Sequence, residues 1–126
     1  MVVVALGASL TILVALAVMQ LLLIAGAPIG EYAWGGQHRV LPRRRRIGAA
    51  VAILLYALFA AILLSRCGVL LGGESAVIVV ATWVLFGYAT LSVLLNLASR
   101  SRKERKVQTP ISIVLAIAIG LVAALA

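Results

Sequence analysis

The sequence predicts an all-α integral membrane protein, a bundle of four transmembrane helices within a single membrane domain covering residues 1–126, and three observations predict it. The first is composition: 65% of the chain is hydrophobic, 11% is charged and the mean hydropathy is +1.24. A soluble domain is roughly 45–50% apolar and about 25% charged. A 13.2 kDa globule has too little interior to hide so much apolar surface from water, so lipid must be the solvent for most of it. The second is that the apolar residues fall into four runs of membrane-spanning length. The third is that ten of the eleven Lys and Arg residues are gathered into two connections between those runs.

The first run, residues 2–27, contains no charged side chain. It exceeds the roughly 20 residues needed to cross a ~30 Å hydrocarbon core, so a tilted helix is expected. It ends in Ala25-Gly26-Ala27, a pattern like that of a signal-peptide cleavage site. However, no basic residue precedes the run, it is too long for a signal-peptide core, and Pro28 would stand first after cleavage. It is read as the first span. The second and third spans are residues 47–65 and 76–98. The fourth, 111–126, has 16 residues and reaches only about 24 Å at the helical rise. An added first turn is therefore expected, with Thr109 as cap and Pro110 at the first helical position. A β-barrel would alternate apolar and polar residues within ~10-residue segments, which these runs do not. Backbone satisfaction in lipid then leaves helices.

Close helix packing in lipid needs small residues at spacing four. Ala116, Gly120 and Ala124 form such a ridge in the fourth span, Gly7, Thr11 and Ala15 one in the first, and Gly68 with Gly72 one beyond the second. No Asp, Glu, Lys, Arg or His falls within the four predicted spans, which disfavours ion-coupled transport. The polar residues there are Ser9, Thr11, Gln20, Tyr56, Thr82, Tyr88, Thr90, Ser92, Asn96 and Ser112. Gln20 and Asn96 lie near the basic ends of their helices, where they could bond across the bundle. Thr82, Tyr88, Thr90 and Ser92 suit either structural hydrogen bonds or the lining of a neutral pore.

The net charge of +8 would suggest nucleic acid in a soluble protein. Here the basic residues are Arg39, Arg43, Arg44, Arg45 and Arg46 in the first connection, and Arg100, Arg102, Lys103, Arg105 and Lys106 in the third. The second connection has only Arg66, beside Glu74. The positive-inside rule puts the two rich connections in the cytoplasm and both termini outside. Anionic lipid or an acidic partner, rather than nucleic acid, is the expected contact. Cys67, the single cysteine, can form no internal disulfide and belongs to no metal-ligand spacing.

The first connection opens with a Gly/Pro-rich tract, residues 26–38, that holds Glu31, Tyr32, Trp34 and the only histidine, His38. Tyr32 and Trp34 suit the headgroup level, with His38 and the arginines completing a lipid or partner contact. Glu31 and His38 could serve as acid and base of a small membrane enzyme. No nucleophile, second carboxylate or metal-ligand set accompanies them. The third connection is expected to prolong the third helix beyond the membrane. Asn96, Glu31 and Glu104 are assigned structural roles, the two acids each beside an arginine and pairing across the two connections.

The residues Gly26-Ala27-Pro28, Gly30, Ala33-Trp34-Gly35-Gly36, His38 and Leu41-Pro42, followed by Asn96-Leu97, Ser99-Arg100-Ser101, Glu104-Arg105 and Pro110, resemble a group of small bacterial four-span membrane proteins. The resemblance covers most of the chain, with its detail in the two basic connections. It implies a bacterial inner-membrane location and a shared cytoplasmic surface, and carries no activity, substrate or cofactor with it. The function expected is that of a non-enzymatic scaffold, accessory subunit or lipid-contacting module without cofactors, alone, as a homo-oligomer or in a larger membrane complex. The alternative is an oligomeric channel or uniporter for a small solute. The threading also fits two tandem hairpins.

Overall fold

The computed structural model describes residues 1–30, 40, 42–99 and 101–126. Within them the chain forms four α-helices, α1 (Val2–Ile24), α2 (Arg43–Arg66), α3 (Ala76–Leu97) and α4 (Arg102–Leu125). All four are long and apolar enough to cross a membrane. They alternate in direction. The end of α1 meets the start of α2 where Gly26 faces the Arg46 guanidinium, and the end of α3 meets the start of α4 where Asn96 bonds Gln108. The same end of the bundle therefore carries the N-termini of both α2 and α4. The packing is closest between α3 and α4 and between α1 and α2, with α1 also against α4; α2 and α3 touch more sparingly.

The helix ends have local causes. α1 stops at Ile24, three residues before the expected end, because Gly26 takes φ +91° and closes a Schellman motif. Its N–H bonds the Leu23 carbonyl, and that of Ala27 bonds Leu22. Gly68, at φ +84°, ends α2 in the same way, with bonds from Gly68 to Ser65 and from Val69 to Leu64. Gly68 is thus a helix cap, exposed and without packing neighbours, and not part of a small-residue ridge as its spacing from Gly72 suggested. The ridge expected in α1 is also turned away from the bundle: Gly7, Thr11 and Ala15 are exposed. The α4 ridge packs in part, with Ala116 buried and Gly120 against the Phe86 ring of α3, while Ala124 is exposed.

Two helix starts differ from the sequence expectation. α2 begins at Arg43 rather than residue 47, so Arg43, Arg44, Arg45 and Arg46 form its first turn behind Pro42. α4 begins at Arg102 rather than residue 111. The third connection does not prolong α3, which ends at Leu97; its basic residues open α4 instead. Ser101 is the cap, its hydroxyl accepting from the Glu104 N–H at 3.2 Å. Thr109 therefore caps nothing, and Pro110 sits inside α4, where it withholds the N–H that Lys106 would otherwise receive.

The half of the bundle away from the basic end is mostly apolar, with the hydroxyls of Ser9, Ser65 and Thr82 buried in it. Leu63 of α2 and Ile119 and Val122 of α4 are fully buried there, with Leu13, Leu85 and Ala89 beside them. A smaller cluster of Leu23 and Ala49 ties α1 to α2 near the basic end. At the far end, Arg66 donates to the backbone carbonyls of Gly73 and Ala126, pinning the ends of α2 and α4 to one another.

Candidate functional site

The polar side chains of the spans separate into two groups. Ser9, Thr11, Thr82 and Thr90 donate to the carbonyls of Ala5, Gly7, Ile78 and Phe86 at 2.8–2.9 Å, each four residues back on its own helix. This satisfies a hydroxyl in lipid without a partner helix. Thr82 is fully buried while Thr90 is exposed, so the structure does not bring them to a common lumen.

The other group converges. In the basic half, side chains of all four helices surround a cavity of about 230 Å³. α1 contributes Gln20, α2 Tyr56, α3 Tyr88, Ser92 and Asn96, and α4 Glu104, Gln108 and Ser112. The cavity runs from Glu104, in the first turn of α4, to Leu115, which lies about 16 Å further along the axis at 1.5 Å per residue. Beyond it lies a smaller space of about 50 Å³ that shares Tyr56, Tyr88 and Ser92 with the first and is otherwise lined by apolar residues such as Leu13, Phe59, Leu85 and Ile119. Phe59 packs tilted against Tyr88, with ring centroids 5.4 Å apart, and edge-on against Tyr56 at 6.4 Å, an aromatic cluster spanning α2 and α3.

The cavity wall is hydrogen-bonded unevenly. Asn96 Nδ2 donates to the Gln108 carbonyl at 3.4 Å, joining α3 to α4. Gln20 of α1 stands beside the Tyr56 hydroxyl of α2. Ser112 donates to the Thr109 carbonyl at 3.0 Å. The Gln108 amide reaches the Met19 sulfur at 3.1 Å, a weak acceptor. Gln20 is 5% exposed and its Oε1 accepts no hydrogen bond. A buried amide oxygen left so costs about 1–3 kcal/mol.

Glu104 is the residue that hydropathy misplaced. The expected spans held no ionisable group, but the early start of α4 carries this carboxylate into the bundle, where it is 8% exposed and lines the cavity. Its side chain is engaged, not free. The signal that locates it is the spacing Ser101-x-x-Glu104, a capping-box pattern, which marks a helix start nine residues before the apolar run begins. Glu104 also lies in the first turn, where its negative charge complements the helix dipole.

The basic residues form a rim around this end. Arg43, Arg44, Arg102, Lys103, Arg105 and Lys106 are exposed, and Arg45 and Arg46 are half-buried. Arg105 donates to the Ser99 carbonyl at 3.0 Å, holding the α3–α4 turn. Glu31, Tyr32, Trp34, His38, Arg39 and Arg100 lie outside the described residues. Among the described residues no three His, Cys, Asp or Glu side chains come together to hold a metal ion.

Fold and composition define the class, a multi-pass membrane protein built as a four-helix bundle. No family model, curated protein or solved structure matches the chain.

Proposed function

We propose that the chain is a non-enzymatic protein of the bacterial inner membrane that keeps its basic end in the cytoplasm and uses the rim there to hold anionic lipid headgroups, as a scaffold or accessory subunit. The observation that carries this reading is where the cations stand. Both α2 and α4 begin with basic residues, and the first turn of α2 holds no acid. Cations at a helix N-terminus oppose the macrodipole by about 0.3–1 kcal/mol each. Helix stability therefore does not account for four successive arginines. Topology does, because basic connections stay on the cytoplasmic side. Phosphate headgroups do as well, since each exposed cation near an anionic surface contributes roughly 1 kcal/mol. The two explanations act together, and both put the N-terminus and C-terminus outside.

The test is lipid retention. Full-length protein purified in mild detergent is expected to retain phosphatidylglycerol over phosphatidylcholine by native mass spectrometry. The preference should fall with added salt and with Arg43→Gln/Arg44→Gln. Equal retention of both lipids by the native chain, or no effect of the double substitution, overturns the lipid reading.

A further inference from the structure

We propose that the outward-facing groove between α3 and α4 holds one acyl chain of an anionic phospholipid whose phosphate is received by Lys106 at the basic rim. The inference rests on the reading of that rim as a contact for anionic lipid, and it gives one such lipid a face of the bundle, a depth and a charge partner.

The groove has a volume of about 610 Å³ and is bordered by Trp83, Phe86 and Thr90 of α3 and by Ile113, Ala116 and Gly120 of α4. Ala116 and Gly120 give it depth on the α4 side. Trp83 and Phe86, packed edge-on with ring centroids 6.0 Å apart, give it an aromatic wall on the α3 side. The Thr90 hydroxyl donates to the Phe86 carbonyl of its own helix, so an acyl chain lying here leaves that hydroxyl satisfied.

Helical geometry sets Lys106 over this groove. α4 is the most buried of the four helices, yet Lys106, Pro110, Ile113 and Ile117 are all exposed along it. Steps of four, three and four residues keep them on one face. Ile113 and Ile117 border the groove, so the stripe that enters it leads back to Lys106. From Ile113 to Leu121 the groove runs about 12 Å at 1.5 Å per residue, most of the ~15 Å that one leaflet contributes to the hydrocarbon core. Lys106 stands about 10 Å nearer the basic end than Ile113. The glycerol-ester region of a phospholipid and the Lys106 side chain, which can lie along apolar surface, share that distance. A free anion has no use for the groove, and a zwitterionic lipid brings no net charge to the lysine. A second copy of the chain is a poorer occupant. Copies in one membrane stand the same way up, so a two-fold axis through this face would bring Lys106 against its own image, a like-charge contact at the rim.

The test reads the groove from within. The chain has two tryptophans, and Trp34→Phe leaves Trp83 as the single emitter; all comparisons are made in that background. The full chain is reconstituted into phosphatidylcholine vesicles with phosphatidylglycerol as the minor lipid, and brominated acyl chains are placed on one lipid or the other. Brominated phosphatidylglycerol is expected to occupy the site beside Trp83 about five-fold more than its share of the bilayer, the enrichment that one cation near an anionic surface supports. Lys106→Gln should abolish that preference, and so should Thr90→Phe, which fills the groove from α3. Arg43→Gln/Arg44→Gln, on α2, should leave it in place. Circular dichroism establishes that each variant is folded, and Lys106→Gln alone decides if Thr90→Phe is not. Quenching that follows bulk composition, while mass spectrometry still finds phosphatidylglycerol retained, keeps the rim and overturns the groove; no selectivity by either measurement overturns both. Weak quenching by both lipids would mean that protein, a second copy included, covers this face, and overturns the proposal, as does a preference that survives both groove variants.

Discussion

Gly120 offers a test of helix packing whose size can be worked from the coordinates. A Cβ placed there would stand 2.8 Å from Cε1 and 3.1 Å from Cδ1 of Phe86. Carbon atoms in favourable contact are about 3.5–4.0 Å apart, so the ring must retreat by roughly 0.7 Å or α4 must move off α3. Phe86 cannot retreat freely, because it packs edge-on against Trp83 with ring centroids 6.0 Å apart. Overpacking of this kind costs about 1–3 kcal/mol, while Gly→Ala in a helix interior returns about 1 kcal/mol of backbone propensity. Gly120→Ala is thus expected to destabilise the bundle by about 0–2 kcal/mol, and Gly120→Val by more, since valine is a poorer helix former. The decisive experiment is a double-mutant cycle with Phe86→Ala, read by reversible unfolding in mixed micelles. Once the ring is gone, Gly120→Ala should become stabilising by about 1 kcal/mol, giving a coupling of about 1–3 kcal/mol. Equal effects of Gly120→Ala in both backgrounds would show that α3 and α4 do not meet at this point.

Three further expectations follow from the helix ends and the far connection. Ser101→Ala removes the hydroxyl that caps Glu104 and should cost about 1 kcal/mol, with faster amide exchange over the first turn of α4; unchanged exchange would move the helix start downstream. Gly73→Ala places a methyl group into the Ser65 carbonyl and should disrupt the α2–α3 connection, whereas Gly87→Ala, with open space around it, should be neutral or slightly stabilising in the same unfolding assay. Burial pushes the Cys67 thiol above its ordinary pKa against a smaller opposing pull from Arg66. Because the thiolate is the reactive form, an impermeant maleimide should label Cys67 of intact cells slowly near neutral pH. Labelling should accelerate as pH rises through and beyond the usual thiol range; labelling only after lysis would invert the proposed orientation.

Helix number and position were legible because lipid imposes one simple rule, about 20 apolar residues per span. The rule is silent on where a helix begins in water. Residues 102–110 are mostly polar, so hydropathy stops at 111, yet the Ser101 cap and the Glu104 N–H start the helix earlier. The four arginines of α2 were hidden in the same way, as was the conformation of Gly68, whose spacing suits a packing ridge but whose φ of +84° serves a turn. Glu104 escaped notice as a lining residue for the first of these reasons. The convergence of Gln20, Tyr56, Ser92 and Gln108 was beyond any local pattern. It depends on the rotation of four helices about their axes, which near-uniform hydrophobicity leaves undetermined.

The division of the bundle into an apolar half and a polar half has a physical consequence. Lipid supplies no hydrophobic force between helices, so association depends on close packing. That packing is concentrated in the far half, around Leu63, Ile119 and Val122. The basic half encloses a cavity instead, gives up dispersion contacts across about 230 Å³, and leaves Gln20 Oε1 unsatisfied. A sequence selected for stability alone would fill this space with leucine, as it does one or two turns away. Substitutions should accordingly divide by height in the membrane: truncating Ile119 or Leu63 should lower stability by about 2–5 kcal/mol, whereas Gln20→Leu, which removes an unsatisfied buried oxygen, should hold or raise stability. If Gln20→Leu proved as destabilising as Ile119→Ala, the polar half would be structural, and the cavity an incidental gap in the packing.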